Sequence, residues 1–130
     1  MKEYSAAVIG LGYVGLPLAI LLKKKKIKIF GFDNNEEVIN KIKSGKSYIS
    51  DITNNQISVL KKENIHSIKD INLISKVDYI IICLPTPLKG RNIPDMGILN
   101  KCIIKLKKIV KNNQILILES TVYPGATMEL

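Results

Sequence analysis

Residues 6–15 read AAVIGLGYVG, an apolar run that leads directly into three glycines with Gly-x-Gly-x-x-Gly spacing. An apolar, helix-compatible segment follows at residues 16–22, and a second apolar run at residues 27–32 ends in Asp33. This order predicts a strand, a glycine-rich turn, a helix and a second strand that ends in an acid. The pattern is typical of a βαβ unit with parallel strands.

Each glycine of such a turn has its own physical task. Gly10 permits the tight bend after the strand, Gly12 lets the backbone approach a pyrophosphate, and Gly15 lets the helix pack against the strand. The bare amides at the helix start, with the positive end of the helix dipole, receive the phosphates. Asp33 is placed to accept hydrogen bonds from an adenosine ribose and would repel a 2′-phosphate. We therefore predict a dinucleotide site that prefers NAD to NADP.

Ordinary turn glycines and a membrane anchor are the two alternative interpretations of this stretch. Three glycines at this spacing, between a strand and a helix, argue against the first. A spanning helix needs about 20 apolar residues, and this run is shorter and contains three glycines and Pro17. A signal peptide carries its charges before the apolar core, whereas the lysines at 23–26 follow it. We expect no membrane association.

The composition favours a globular protein despite its basic charge. The chain has 130 residues, 46% of them hydrophobic, and a formal net charge of +9. All but one of its 20 basic residues are lysines, the exception being Arg91, and they are scattered along predicted helix faces with few aromatic residues between them. A nucleic-acid surface would cluster basic residues and interleave aromatic ones. We therefore interpret the charge as solvated helix faces and expect no nucleic-acid partner.

The cysteine and histidine content argues against a metal site. Cys83 and Cys102 are isolated, and His66 is the single histidine. This spacing predicts no zinc site and no disulfide framework. A buried structural role is the better interpretation of both cysteines, and unpaired cysteines are typical of a reducing compartment. We expect a cytoplasmic protein without a metal.

The rest of the chain continues the alternation of strands and helices. The predicted elements are a helix from Asn34 or Asn35 to about Lys43, a short helix at about 55–63, a brief strand at 65–68, a buried strand at 77–84, a long helix at about 95–111, a buried strand at 115–118 and a further helix after Pro124. For the long helix, the core stripe is expected to contain Ile98, Cys102, Leu106 and Ile109. We predict an α/β fold: a Rossmann-type, doubly wound parallel sheet of about five strands in the order 3-2-1-4-5, truncated after the fifth.

Two strand ends carry candidate site residues. The strand at 77–84 ends in Pro85-Thr86-Pro87, whose prolines stop both strand and helix and fix Thr86 on a rigid loop. The strand at 115–118 ends in Glu119-Ser120-Thr121. Ligands of open α/β sheets gather at the carboxyl ends of the strands, so Thr86 belongs at the predicted site.

Five segments in order carry a family resemblance over essentially the whole chain: GLGYVGLPLA, GFD, GKSYISDI, CLPTPLKG with IPDM, and ILESTVYPGAT. Together they resemble the N-terminal NAD-binding domain of the UDP-glucose/GDP-mannose dehydrogenase family. The nearest branch oxidises UDP-N-acetylglucosamine or UDP-N-acetylmannosamine. The resemblance implies oxidation of a sugar C6 alcohol to a carboxylate in two NAD-dependent hydride transfers. We also expect the protein to form a homo-oligomer.

The resemblance also implies roles for particular residues. Contacts to NAD are implied for Gly10, Leu11, Gly12, Tyr13, Val14, Gly15, Asp33, Pro85, Thr86 and Thr121. Thr121 would also stand near the reacting C6, ordering a water or the substrate hydroxyl. Where some relatives carry a basic residue that approaches the adenosine, this chain has Val38.

The family's nucleophilic cysteine, and the lysine, asparagine and acids that act with it, lie in later segments than Leu130. Cys83 and Cys102 do not match that cysteine. We therefore expect residues 1–130 to form the NAD-binding domain without the substrate and catalytic-cysteine domains, and the chain alone to be inactive. The strand at 115–118 would keep an open edge.

Three alternatives remain at this stage. The chain could be a stand-alone NAD-binding module, or a different NAD-dependent enzyme on the same fold, because fold alone does not fix function. The PTP loop and the ESTVYPG segment argue against that second alternative. The third is a basic nucleic-acid-binding protein, which salt-dependent binding to unrelated DNA would reveal.

Overall fold

The computed structural model describes residues 1–120 and 124–130, and its central feature is a parallel β-sheet. The strands are β1 (Ser5–Ile9), β2 (Lys28–Asp33), β3 (Asn64–Ser67), β4 (Tyr79–Ile82), β5 (Leu88–Lys89), β6 (Ile93–Pro94) and β7 (Ile115–Leu118). Five of them form the parallel sheet in the order β3-β2-β1-β4-β7, while β5 and β6 pair as a separate antiparallel hairpin. In chain order β7 is the fifth strand of the parallel sheet, so the observed order is the predicted order 3-2-1-4-5. The predicted fold class and strand order are confirmed.

Helices connect the parallel strands. They are α1 (Gly15–Lys24), α2 (Glu36–Ser44), α3 (Asn54–Ile57), α4 (Gly97–Leu106) and α5 (Ala126–Glu129), with 3₁₀ segments at Ser58–Leu60 and Ile68–Lys76. The Asn35 side chain accepts a hydrogen bond from the Glu37 N–H at the start of α2, and Gly45 ends that helix in the left-handed conformation with φ of 71°. Both signals match the predicted limits of this helix.

The sheet is buried on both faces. In β1, Ala6 and Val8 face one hydrophobic core, while Ala7 and Ile9 face the other, and none of the four is more than 1% exposed. The first core lies under α1 and α2, and the second lies under α4 and the 3₁₀ segment 68–76. This arrangement explains why the strands read as nearly continuous apolar runs.

The predicted helix at 95–111 is too long, and its predicted core stripe is partly wrong. The Asp95 carboxylate accepts a hydrogen bond from the Gly97 N–H at 2.9 Å, which forms a turn, and α4 begins only at Gly97. Ile98 is 43% exposed. The buried stripe is Leu99, Cys102, Ile103 and Leu106. The segment carries apolar residues on more than one helical face, and packing against the sheet selects among them.

Three further expectations need correction. The strand at 115–118 is not buried, since β7 pairs with β4 at the sheet edge and leaves Ile115 54% and Leu116 47% exposed. The polar sequence at residues 89–95 predicts a loop, but the β5–β6 hairpin occupies most of this segment. Cys83 lies just beyond β4 and is half-buried. Across the described residues, no helix is long and apolar enough to cross a membrane.

Candidate functional site

The turn between β1 and α1 has the shape that the glycine spacing predicts. Gly10 has a φ of 92°, and a β-carbon there would lie 2.7 Å from the carbonyl oxygen of Cys83. At Gly15, a β-carbon would overlap the carbonyl oxygen of Gly10. A side chain at Gly10 would press on the backbone that follows β4, and one at Gly15 would push α1 away from the turn. Both glycines are therefore required by the protein's own packing.

Gly12 differs from the other two. A β-carbon at this position would meet no atom of the described structure within 4 Å. Gly12, Tyr13 and Val14 are all exposed, and Tyr13 retains 77% of its accessible surface. The protein's own packing therefore gives no reason for glycine here, whereas a bound group close to the backbone would give one.

The beginning of α1 is suited to an anion. Its N-cap residue is Val14, which supplies no side-chain hydrogen bond within the described structure, and its first turn contains no acidic residue. Pro17 lies in the first turn, where a missing N–H costs little. The first amides of α1 therefore lack a side-chain partner in the described residues, and the helix dipole adds positive potential at this end. This combination is typical of a phosphate site.

Asp33 connects the glycine turn to the end of β2. Its Oδ2 accepts a hydrogen bond from the Leu11 N–H, and its Oδ1 accepts one from the Asn35 N–H, both at 2.9 Å. The two oxygens of a carboxylate offer about four lone-pair sites. Two backbone bonds thus leave acceptor capacity for ligand hydroxyl groups.

An open groove of about 830 Å³ runs along the carboxyl ends of the strands. It crosses the point between β1 and β4 where successive strand connections change direction, the usual ligand crevice of such sheets. From the predicted set, it brings together Gly10, Gly12, Tyr13, Val14, Asp33, Pro85 and Thr86. Leu11 and Gly15 are buried beneath it. Thr121 lies outside the described residues.

Several groove residues were missed by the sequence analysis. They include Asn35, Ile98, Glu119 and Ser120. Glu119 and Ser120 directly precede Thr121 at a strand end, a signal that could have identified them. Tyr48 was also missed as a site residue: its hydroxyl donates a hydrogen bond to the carbonyl oxygen of Leu11. Burial, and secondarily the nearby Asp33 carboxylate, raise the pKa of Tyr48.

Neither cysteine resembles an activated nucleophile. Burial raises the pKa of the Cys83 thiol to about 11, with a smaller effect from Glu119. Burial likewise raises the pKa of Cys102 to about 11. A thiol reacts as its thiolate, so both groups are protonated and weakly reactive at neutral pH. In the part of the chain that the structure describes, no cluster of three or more His, Cys, Asp or Glu residues could hold a metal ion.

The parallel sheet, the bare helix start and the acid at the end of β2 define a Rossmann-type dinucleotide-binding domain. A model of the UDP-glucose/GDP-mannose dehydrogenase family, NAD binding domain, matches residues 4–130. The chain therefore belongs to this family, and this region is its NAD-binding domain.

Individual relatives agree with the family assignment. The chain is 42% identical over 123 residues to protein CapL of Staphylococcus aureus, covering 95% of this chain and 28% of that protein. It is 38% identical over 130 residues to a UDP-N-acetyl-D-glucosamine 6-dehydrogenase of Pseudomonas aeruginosa, and the match covers 99% of this chain and 30% of that protein. The solved structure of a UDP-D-ManNAc dehydrogenase from Pyrococcus horikoshii superposes with a TM-score of 0.80 at 33% identity, and the match covers 96% of this chain and 30% of that one. The chain thus spans about 30% of the length of these relatives.

Proposed function

We propose that this chain is the cofactor-binding part of an enzyme that oxidises the C6 alcohol of a UDP-N-acetylhexosamine to the uronate, in two NAD-dependent hydride transfers. The observation that carries the proposal is the groove, in which an uncapped helix start lies beside the acid at the end of β2. The relatives named for UDP-N-acetylglucosamine and UDP-N-acetylmannosamine support the substrate class.

The adenosine half of NAD fits the part of the groove near β2. Asp33 accepts hydrogen bonds from the ribose hydroxyls, and its charge disfavours a 2′-phosphate. The pyrophosphate is bound by backbone amides in the segment 12–15, where Gly12 leaves room for close approach. Tyr13 and Val14, both exposed on the rim, cover the ligand from one side. Val38 also lines the groove, in place of the basic residue of some relatives.

The opposite part of the groove suits the nicotinamide half. Pro85 and Thr86 follow β4, which lies on the other side of β1 from β2. Bound NAD supplies the hydride acceptor, and the protein supplies placement. For Thr121 we propose a contact to the cofactor and a position near the reacting C6, where its hydroxyl orders a water or the substrate hydroxyl. This last role is supported by the sequence motif alone.

The family resemblance implies that a cysteine acts as nucleophile in the oxidation, and this nucleophile must come from another part of the enzyme. Cys83 and Cys102 are unsuitable because burial raises the pKa of each thiol to about 11. We therefore propose that the 130-residue chain binds cofactor and needs further segments to catalyse the reaction.

An assay of the enzyme expressed from the complete coding sequence tests the proposed oxidation. The enzyme should produce two NADH for each UDP-N-acetylglucosamine or UDP-N-acetylmannosamine consumed, because an alcohol loses two hydrides on the way to a carboxylate. One NADH for each sugar would show that the oxidation stops at the aldehyde. Absence of NADH with both sugars would refute the proposed substrate class.

Self-association is a further part of the proposal. β7 lies at the edge of the sheet, with Ile115 54% and Leu116 47% exposed, beside an apolar hollow of about 270 Å³. An exposed apolar edge strand offers unpaired N–H and C=O groups to another chain. We propose that the 130-residue chain forms homo-oligomers through this edge.

The proposed compartment is the cytoplasm. Cys83 and Cys102 are free thiols, and unpaired cysteines are typical of reducing compartments. Detection of the protein in a membrane-free cytoplasmic fraction would test this location.

A further inference from the structure

Leu11 fixes the otherwise exposed glycine turn to the body of the protein. Its side chain is fully buried and packs directly on β2, since a β-carbon added to Gly31 would lie 3.0 Å from Leu11 Cδ1. Its N–H donates a hydrogen bond to Asp33 at 2.9 Å. Its carbonyl oxygen accepts the hydrogen bond from the Tyr48 hydroxyl. Side chain, N–H and C=O of this one residue are therefore each held by a different group.

The Tyr48 contact determines the direction of a neighbouring donor. The carbonyl of Leu11 and the N–H of Gly12 belong to the same planar peptide unit. This peptide is trans, since the described structure has no cis peptide bond, so its C=O and N–H point in opposite directions. A carbonyl held towards Tyr48 turns the Gly12 N–H away from Tyr48. Gly12 lines the groove.

Gly12 makes such a constraint necessary. Glycine adopts positive and negative φ about equally readily, so the Leu11–Gly12 peptide could rotate at low cost. Two exposed residues follow Gly12, and they provide little packing to restrict it. A hydrogen bond on the Leu11 carbonyl therefore selects one orientation of this peptide.

The loop that carries Tyr48 is itself well anchored. The Ser47 N–H donates to the Asn54 side chain at 2.9 Å, and the Ser47 hydroxyl donates to the Ile49 carbonyl at 2.9 Å. Ile49 is 5% exposed and belongs to the same core as Leu11. The Tyr48 hydroxyl is thus presented from a fixed backbone. Because burial raises the pKa of Tyr48, the hydroxyl keeps its proton and remains a donor through the physiological pH range.

We infer that Tyr48 is a positioning residue for the cofactor: it orients the Leu11–Gly12 peptide so that the Gly12 N–H is available to a phosphate of the bound dinucleotide. This inference rests on the proposed binding of NAD in the groove. Tyr48 acts through the backbone of the turn and needs no contact with the ligand.

Tyr48→Phe tests the inference because it removes the hydroxyl and keeps the ring. We expect NADH and ADP-ribose to bind roughly 3- to 10-fold more weakly, the equivalent of one net hydrogen bond. Adenosine, which lacks phosphates, should bind as it does to the wild type when followed by NMR shifts. In ¹H–¹⁵N spectra of the free variant, the Gly12 amide should shift or broaden. Tyr79→Phe is the matched control, since Tyr79 is half-buried at the opposite end of the sheet.

Each outcome decides a separate point. If the wild-type chain does not bind NADH, the proposed function fails and the inference fails with it. If the wild type binds NADH and Tyr48→Phe binds it equally well, the inference is wrong while the proposed function stands. An equal loss for adenosine and ADP-ribose, together with a lower thermal midpoint than that of Tyr79→Phe, would indicate a merely structural hydroxyl and would also overturn the inference.

Discussion

Replacing Asp33 with alanine removes one carboxylate that has two tasks. In the structure, it accepts hydrogen bonds from the Leu11 and Asn35 N–H groups, each at 2.9 Å. In the proposed complex, it also accepts hydrogen bonds from the adenosine ribose. The variant should therefore lose both a support of the glycine turn and a direct ligand contact.

The magnitude follows from these bonds. A hydrogen bond to a charged group contributes roughly 1.5–3 kcal/mol, but Asp33 is partly exposed and water replaces part of the loss. We expect NADH binding to weaken by on the order of 1–3 kcal/mol, or about 5- to 150-fold in Kd. The free energy of unfolding should fall by about 1–3 kcal/mol, because the N–H of the buried Leu11 loses its partner, whereas the N–H of the exposed Asn35 can bond to water.

Calorimetric titration with NADH measures the first quantity, and urea unfolding measures the second. Asp33→Asn keeps one side-chain acceptor without the charge, so it should lose less NADH affinity and should narrow the preference for NADH over NADPH. Asp70→Ala, at an exposed acid in the 3₁₀ segment 68–76, is the matched control and should bind like the wild type. If Asp33→Ala kept wild-type NADH affinity while folded, the assignment of Asp33 to the ribose would be wrong.

Gly12→Val should abolish NADH binding while the domain still melts cooperatively, because the described structure leaves free space around a β-carbon at this position; retained affinity would show that the turn is not the site. The Cys83 thiol should react slowly with iodoacetamide at pH 7.5, and faster as the pH rises towards its raised pKa of about 11, because more thiolate forms; rapid alkylation at neutral pH, located by mass spectrometry, would contradict this. The isolated 130-residue chain should self-associate and should not oxidise either UDP-hexosamine. A clean monomer in light scattering at about 50 µM would refute the association through the β7 edge, and NADH production would refute the need for further segments.

The parts of the fold that the sequence predicted are those with local signals. The glycine spacing, the apolar runs and the Asn35 and Gly45 helix limits each act within a few residues, and they predict β1, α1, β2 and α2 correctly. The parallel direction of the strands also follows from the alternation of strands and helices. The three glycines and Asp33 could be predicted as a cluster because consecutive elements bring them to the same sheet edge.

The incorrect or missing parts depend on contacts between distant residues. The orientation of α4 could not be predicted because apolar residues at 98, 99, 103 and 104 allow more than one buried face. The exposure of β7 depends on which strands flank it, and its apolar sequence alone resembles that of a central strand. Tyr48 reaches Leu11 from 37 residues away in sequence, so no local pattern indicates that contact. The role of Thr121 stays a prediction.

Calorimetric titration of the wild-type chain with NADH and NADPH measures directly whether the groove beside Asp33 binds NAD. We expect saturable binding of NADH at one site per chain and much weaker binding of NADPH, because Asp33 repels the 2′-phosphate. Equal or tighter binding of NADPH, or no binding of NADH by the folded chain, would contradict it.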